Sequence, residues 1–267
     1  MMAANRSRAD GLRWTARGSE LFFGALAALP DDRLDRPTAL AGWSGKHLLA
    51  HVAANADALV NLAHWARTGE ERPMYSSPAQ REEDIEAGAK SPASELRAWA
   101  VRAAETLDAR LAELDERQWR RNVRTAQGRT VTAEEIPWMR AREVMVHAVD
   151  LGAGVEFGDL PADFLAALID DITAKRSAAA EPALTLTATD HGGTWAVISS
   201  GEPAQVTGSG DPAQGTGSGD PAQGTGSGEP AVVTGTLAGL AAYLSGRRSD
   251  GVTGARGEPA PRLPRWL

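Results

Sequence analysis

A glutamate and a histidine one helical turn apart, on the apolar side of a helix, constrain this chain more than any other feature of its sequence. They are Glu143 and His147, in the stretch VTAEEIPWMRAREVMVHAVDLG at residues 131–152. Thr132 stands where it can cap the helix start, Ala133, Glu134 and Glu135 fill an acidic first turn, and Gly152 stands past the end. Pro137 lies inside that pattern, so the regular helix is expected to begin near it. Trp138, Met139, Val144, Met145, Ala148, Val149 and Leu151 make one broad apolar side, and Glu143 and His147 lie within it. A spacing of four stacks their side chains, so a carboxylate oxygen and an imidazole nitrogen can reach one cation. A charge on an apolar face is costly unless it is paired or bound to a metal. Two ligands do not complete a site, so a third must come from another element.

The candidate partner helix is GWSGKHLLAHVAANADALVNLAHWARTG, with Ser44 as its N-cap and Gly69 as its stop. His47, His51, Asn55 and Leu62 share one stripe of it, whereas His64 lies about 220° further round from His51 at ~100° per residue. Leu48, Val52 and Ala54 surround His51, which points it into a bundle; His47 sits one turn nearer the helix start and closer to water. His51, Glu143 and His147 then form a set of two histidines and one carboxylate. Three protein ligands with open positions suit a catalytic zinc or another divalent ion. Spacing alone leaves an equally good reading, a buried His–Glu–His hydrogen-bond network that only stabilises the bundle.

Composition narrows the chemistry. The chain has no cysteine, which removes disulfides, thiolate–zinc clusters and a cysteine nucleophile, so any thiol must come from outside. A net charge of -7 without a long Lys/Arg run argues against a nucleic-acid partner. No stretch of apolar residues suits a secretory signal or a membrane span, and the cytoplasm is the expected location.

Elsewhere the pattern continues as an α+β chain. Residues 7–29 read as a first helix ended by Pro30 and Asp31. Residues 70–90, polar and broken by Pro73 and Pro78, read as a long crossover. Ser91 and Pro92 then open a third helix as N-cap and N1, running through Leu96, Trp99, Ala103, Leu107, Leu111 and Leu114. TAQGRTV reads as the loop before the helix at 131–152. Four helices joined this way make a bundle whose core suits a metal built from facing side chains. A metal-binding bundle is therefore expected at 1–155 and a smaller α/β domain at 156–267. In the latter, 163–176 reads as a helix, LTLTATD and TWAVISS as strands around a turn at 191–193, AVVTGTL as a strand, and 237–244 as a short helix. A nine-residue repeat occupies about 202–237, as EPAQVTGSG, DPAQGTGSG twice, and a degenerate EPAVVTGTL. Its middle copies keep no large apolar residue and lack the order of a calcium-binding repeat, so they read as a linker-like expansion of a surface loop.

The segments GWSGKHLLAHVAANA, LAHWARTGEERPMY, TAQGRTV and WMRAREVMVHAVDLG closely resemble the mycothiol-dependent maleylpyruvate isomerases, a family within the DinB-like metal-binding four-helix bundles. The resemblance covers nearly all of 10–155 and resumes at VVTGTLAGL, GRRSDGVT and the closing PRWL; the repeat departs from the family pattern. It implies that His51, Glu143 and His147 bind zinc, and it selects His51 over His47. It also implies that Arg247, in GRRSDG, serves substrate and catalysis and that Arg81, after SSPAQ, meets the substrate, with Arg248 beside Arg247 an alternative.

The implied activity is cis–trans isomerisation of maleylpyruvate to fumarylpyruvate, in gentisate-type degradation of aromatic compounds. Mycothiol would add to the conjugated double bond as a zinc-activated thiolate, the resulting single bond would rotate, and the thiol would be expelled. Zinc and an arginine would supply positive charge to the transient enolate and to the substrate carboxylates. The implied partners are a small dicarboxylate and mycothiol, with no nucleic acid and no membrane, and a monomer is expected. Two other classes use the same features: a mycothiol S-transferase that keeps the adduct, and a non-catalytic zinc-stabilised bundle. TAQGRTV and GRRSDG favour the isomerase.

Overall fold

The computed structural model describes residues 6–198, 230–264 and 266. It divides into two compact units, Met2–Leu168 and Ile169–Leu267. The first three copies of the nine-residue repeat lie outside the described residues.

The first unit is the helical bundle, and its caps explain where its helices begin and end. Helix α1, Arg8–Ala28, starts at Ser7, whose hydroxyl accepts from the Asp10 amide in a capping box. Helix α2, Gly45–Thr68, starts at Ser44 in the same way and stops at Gly69, whose φ of 83° is the left-handed cap that glycine adopts freely. Gly45 itself lies against Leu34, where an added Cβ would stand 2.9 Å from the Leu34 Cα. Both ends of α2 thus fall where the sequence placed them.

Within the long crossover expected at 70–90, residues 78–89 hold a helix that the sequence reading did not place. Pro78–Ala89 is a helix, α3, with Ser77 as N-cap accepting from the Gln80 amide and Pro78 in the first turn. It buries only Ile85 and Gly88, so it carries almost no apolar stripe for a sequence to display. Gly88 permits close approach to α2, because a Cβ there would lie 2.8 Å from that of Ala50. Helix α4, Ala93–Ala112, corrects a second expectation: Pro92 is its N-cap, without a side-chain bond, and Ser91 lies outside. It ends before Leu114.

The segment after α4 holds more structure than a loop. A four-residue turn of helix, α5 at Glu116–Trp119, is capped by Asp115. Strands β1, Asn122–Arg124, and β2, Thr130–Thr132, then pair as an antiparallel hairpin around TAQGR. Thr132 is the N-cap of a 3-10 turn at Ala133–Glu135, though its side chain makes no capping bond. Helix α6, Ile136–Asp150, follows with Pro137 in its first turn, where the missing N–H costs nothing. Gly152, with φ 63°, turns the chain after it.

Helices α1 and α6 pack against each other, and α2 packs against α3, α4 and α6. Apolar clusters fill the bundle. One joins Leu59, Leu62, Leu107, Leu111, Ile136 and Met139; another joins Phe22, Leu48, Leu49, Val52, Leu96 and Val144. Helix α7, Ala162–Ala178, leads onward, and Phe164 near its start stacks edge-on against Trp14 at 5.9 Å.

The second unit is built on a four-stranded sheet. Strands β3, Leu184–Ala188, β4, Thr194–Val197, β5, Ala231–Gly235, and β6, Thr253–Gly254, run in the order β4-β3-β5-β6. β3 and β5 are parallel and the outer pairs antiparallel. Helix α8, Leu237–Leu244, follows β5 directly, capped by Thr236 and packed against β3 and β5. Asp190, in the turn after β3, accepts from the Leu237 amide at 2.8 Å and fixes where α8 begins. Among the described residues no helix is long and apolar enough to cross a membrane.

Candidate metal centre

His51 lies in the second turn of α2 among Leu48, Leu49, Ala50 and Val52, all wholly buried, so its ring can only turn inward. Glu143 and His147 lie on the facing side of α6, one turn apart. The carboxylate is the meeting point: Glu143 Oε2 is 2.8 Å from His51 Nε2 and 3.2 Å from His147 Nε2. The two imidazoles meet edge to face with centroids 4.9 Å apart. One ligand atom from each residue lies within 4.8 Å of the other two, and this is a group able to hold a metal ion among the described residues. Two imidazole nitrogens and one carboxylate oxygen, converging from two rigid helices, suit a divalent cation with open positions for further ligands.

Neighbouring groups support that arrangement. His147 Nδ1 lies 2.8 Å from Asp150 Oδ2, a buried carboxylate one turn further along α6. A histidine that ligates through one ring nitrogen commonly donates through the other to such an acceptor, which fixes the ring and raises its basicity. On the other ring, Arg81 Nη2 lies 3.2 Å from His51 Nδ1, and the Trp43 ring centroid is 5.2 Å from that of His51. Tyr75 stands near both Arg81 and Glu143. Arg140, on α6 one turn before Glu143, is 1% exposed and donates through Nη1 to the Val52 carbonyl at 2.7 Å and to Asn55 Oδ1 at 3.1 Å. It ties α6 to the turn of α2 that follows His51.

The electrostatics follow from burial set against these contacts. Burial alone would raise the Glu143 pKa, but hydrogen bonds from His147 and His51 outweigh it and hold the carboxyl well below its ordinary value. Burial pulls the other way at His147, where the bonds to Asp150 and Glu143 prevail and the pKa rises. At His51 burial prevails, aided by the charges of His147 and Arg81, and the pKa falls. Burial pushes the Arg140 guanidinium down to about 10, which still leaves it charged at neutral pH. Burial raises the Tyr75 hydroxyl, with Glu143 adding to the effect and Arg81 opposing it.

The structure thus brings together His51, Glu143, His147 and Arg81. His47 is elsewhere engaged: its Nδ1 lies 2.7 Å from the Ser44 hydroxyl, closing the cap of α2, and its Nε2 lies 3.5 Å from Glu86. Arg247 and Arg248 belong to the second unit. Gly246, at φ 74°, turns the chain after α8, and the Arg247 amide donates back to the Ala242 carbonyl at 2.9 Å. Half-buried, Arg247 donates through Nη1 to the Ser245 carbonyl at 2.6 Å, whereas Arg248 is exposed and paired with Asp250 at 3.1 Å. Asp150, Tyr75 and Arg140 were not identified from the sequence. Asp150 was findable, because a carboxylate three residues beyond His147 shares its helix face. Tyr75 was not, because a loop residue carries no periodic signal.

The family profile of the mycothiol maleylpyruvate isomerase N-terminal domain matches residues 16–152. A crystal structure of a mycothiol-dependent maleylpyruvate isomerase is 37% identical over 100% of both chains, with a TM-score of 0.83. A histidine-to-alanine mutant of a mycothiol-dependent maleylpyruvate isomerase matches equally well, with 37% identity, 100% coverage of both chains and the same score. YfiT from Bacillus subtilis, described as a probable metal-dependent hydrolase with an unusual four-helix bundle topology, is 18% identical. That match covers 57% of this chain and 91% of YfiT, with a TM-score of 0.45. Comparison with curated proteins finds no match.

Proposed function

This chain belongs to the mycothiol maleylpyruvate isomerase family, and from that premise we propose that it converts maleylpyruvate to fumarylpyruvate with mycothiol as the thiol. The observation that carries the reading is the convergence of His51, Glu143 and His147 in a chain alike over its full length to such an isomerase.

The reaction needs a nucleophile, a bond that can rotate and a place for negative charge. Without a cysteine, the chain depends on a thiol from outside. A divalent ion such as zinc, when bound, would favour the thiolate form of a coordinated thiol at neutral pH. His51, Glu143 and His147 would hold that ion, and Asp150 would keep the His147 ring turned toward it. Addition of the thiol to the conjugated double bond leaves a single bond free to rotate, and expulsion of the thiol restores the double bond as trans. Negative charge develops on the conjugated carbonyl oxygen while the thiol is attached. Arg81, beside His51, contributes positive charge close to the ligand set. Arg247 is the second arginine we assign to substrate, its guanidinium matched in shape to a carboxylate.

The test is an ultraviolet assay of maleylpyruvate with and without mycothiol, with the products identified. Fumarylpyruvate formed only when mycothiol is present supports the isomerase. A stable thiol adduct would make the chain an S-transferase. Zinc uptake with neither product would leave a metal-stabilised bundle.

A further inference from the structure

The two histidines of the candidate centre are prepared for a metal in opposite ways. His147 Nδ1 faces an acceptor, Asp150 Oδ2, at 2.8 Å. Ligation through its Nε2 leaves a proton on Nδ1 that already has a partner. His51 Nδ1 faces a donor, Arg81 Nη2, at 3.2 Å. A guanidinium cannot accept, so Nδ1 accepts from Arg81 and the single proton of a neutral His51 ring sits on Nε2. That proton points at Glu143 Oε2, 2.8 Å away. Nε2 is also the atom that His51 offers to the ligand set. A cation there takes the Nε2 lone pair and leaves the ring proton on Nδ1. Two N–H donors would then face each other, and no hydrogen bond can form between them.

We propose that Arg81 is an arm coupled to metal occupancy: ligation of a divalent cation through His51 Nε2 breaks the Arg81–His51 hydrogen bond and frees the guanidinium. The proposal rests on the metal reading above. Arg81 stands in the first turns of α3, a helix with only two buried residues, so its side chain is not confined by a packed core. The freed group stays near the ligand set. Tyr75 lies close to both Arg81 and Glu143. The Asn61 amide, on α2, donates to the carbonyls of Pro73 and Met74 at 3.3 Å each and so holds the segment that carries Tyr75. Swung away from His51, the fork of donors is offered to an anion arriving at the cation. The charge of Arg81 thus becomes available to a carboxylate substrate only when the cation is in place.

The test is arginine modification by phenylglyoxal on the full-length protein, with and without zinc, read by peptide mass spectrometry. Arg81 is expected to react several-fold faster in the zinc-loaded protein. Arg97, held by Asp31 and the carbonyls of Leu26 and Leu29, serves as the internal reference. Zinc calorimetry on Arg81→Ala should show binding about 2- to 10-fold tighter than wild type, the worth of one net hydrogen bond no longer broken on ligation. Equal Arg81 reactivity in the two forms, or a variant that binds zinc no more tightly, overturns the proposal and leaves the metal site standing. A wild-type protein that takes up no zinc in calorimetry overturns the metal reading, and the proposal with it.

Discussion

His147 Nδ1 and Asp150 Oδ2 lie 2.8 Å apart, three residues along one helix and both buried. The contact fixes which ring nitrogen His147 turns toward Glu143, so under the proposed metal reading Asp150 would govern metal affinity without touching the metal. Asp150→Ala is expected to weaken zinc binding about 10- to 100-fold, measured by competition with a chelator. Asp150→Asn keeps an acceptor and should lose less. An alanine variant with wild-type affinity would show that Asp150 only packs the helix end.

Metal binding should release a proton, and its pH range follows from His147. Its pKa is raised, so its contribution to folding is complete below the unfolded histidine value of about 6.5 and is lost as pH rises through the raised value. A cation must displace the proton on Nε2. Zinc affinity should therefore climb about tenfold per pH unit until that value is passed, then level off. Glu143 has the opposite sign: its pKa is depressed, so its contribution is present above about 4.5 and is lost as pH falls through the folded value. It is already ionised in the range of interest and adds no proton, and His51, held neutral, adds none either. Calorimetry in buffers of different ionisation heat should give about one proton released per zinc at pH 6.5, declining at higher pH. No release at pH 6.5 would mean that His147 is not protonated before the metal binds.

The spacing of α1 and α6 should matter to the site although α1 contributes no ligand. A Cβ at Gly18 would stand 2.5 Å from Val144 Cγ2 and 3.2 Å from the Met145 backbone nitrogen. Gly18→Ala therefore pushes on the turn of α6 that lies between Glu143 and His147. Overpacking of this kind costs about 1–3 kcal/mol, and zinc affinity should fall with thermal stability. Gly24, on the same helix, has nothing within 4 Å of its Cβ position. Gly24→Ala should instead stabilise by about 0.5–1 kcal/mol and leave zinc binding unchanged. Equal effects at the two glycines would show that helix propensity, not the α1–α6 contact, governs this face.

What the sequence made legible is what rests on strong local chemistry. Ser44, Gly69, Pro137 and Gly152 each have one favoured position at a helix end, and each occupies it. The depth of His51 followed from the apolar residues flanking it on α2, and the structure leaves His47 engaged at the cap instead. Helix α3 was missed because its signal is a cap without a stripe: Ser77 and Pro78 announce a start, yet the turns that follow are polar. The same pair of residue types at Ser91 and Pro92 misled by one position, because there proline is itself the N-cap. Strands β1 and β2 have three residues each, too few for an alternating pattern to emerge. The contact of Arg81 with His51 was hidden for a related reason. It depends on α3 lying against α2 through Gly88 and Ala50, which no local pattern specifies.

The two neighbouring arginines of the second unit can now be told apart by experiment. Arg248 is exposed and its charge is already answered by Asp250, so Arg248→Ala should leave the isomerase rate unchanged. Arg247 is half-buried, with its backbone bonded to Ala242 and its Nη1 donating to the Ser245 carbonyl, and these contacts fix where its guanidinium begins. Under the proposed function Arg247 meets a substrate carboxylate or the charge that develops during the reaction. Loss of one such contact is worth ~2–4 kcal/mol, so Arg247→Ala should lower the rate roughly 30- to 1000-fold. Zinc content and the thermal transition should stay near wild type, since the proposed metal ligands are His51, Glu143 and His147. Arg247→Lys should recover only part of the rate, because an ammonium cannot present two parallel donors to a carboxylate. An Arg247→Ala enzyme with the wild-type rate would remove this arginine from the mechanism. A matching loss in Arg248→Ala would mean that either side chain can reach the substrate.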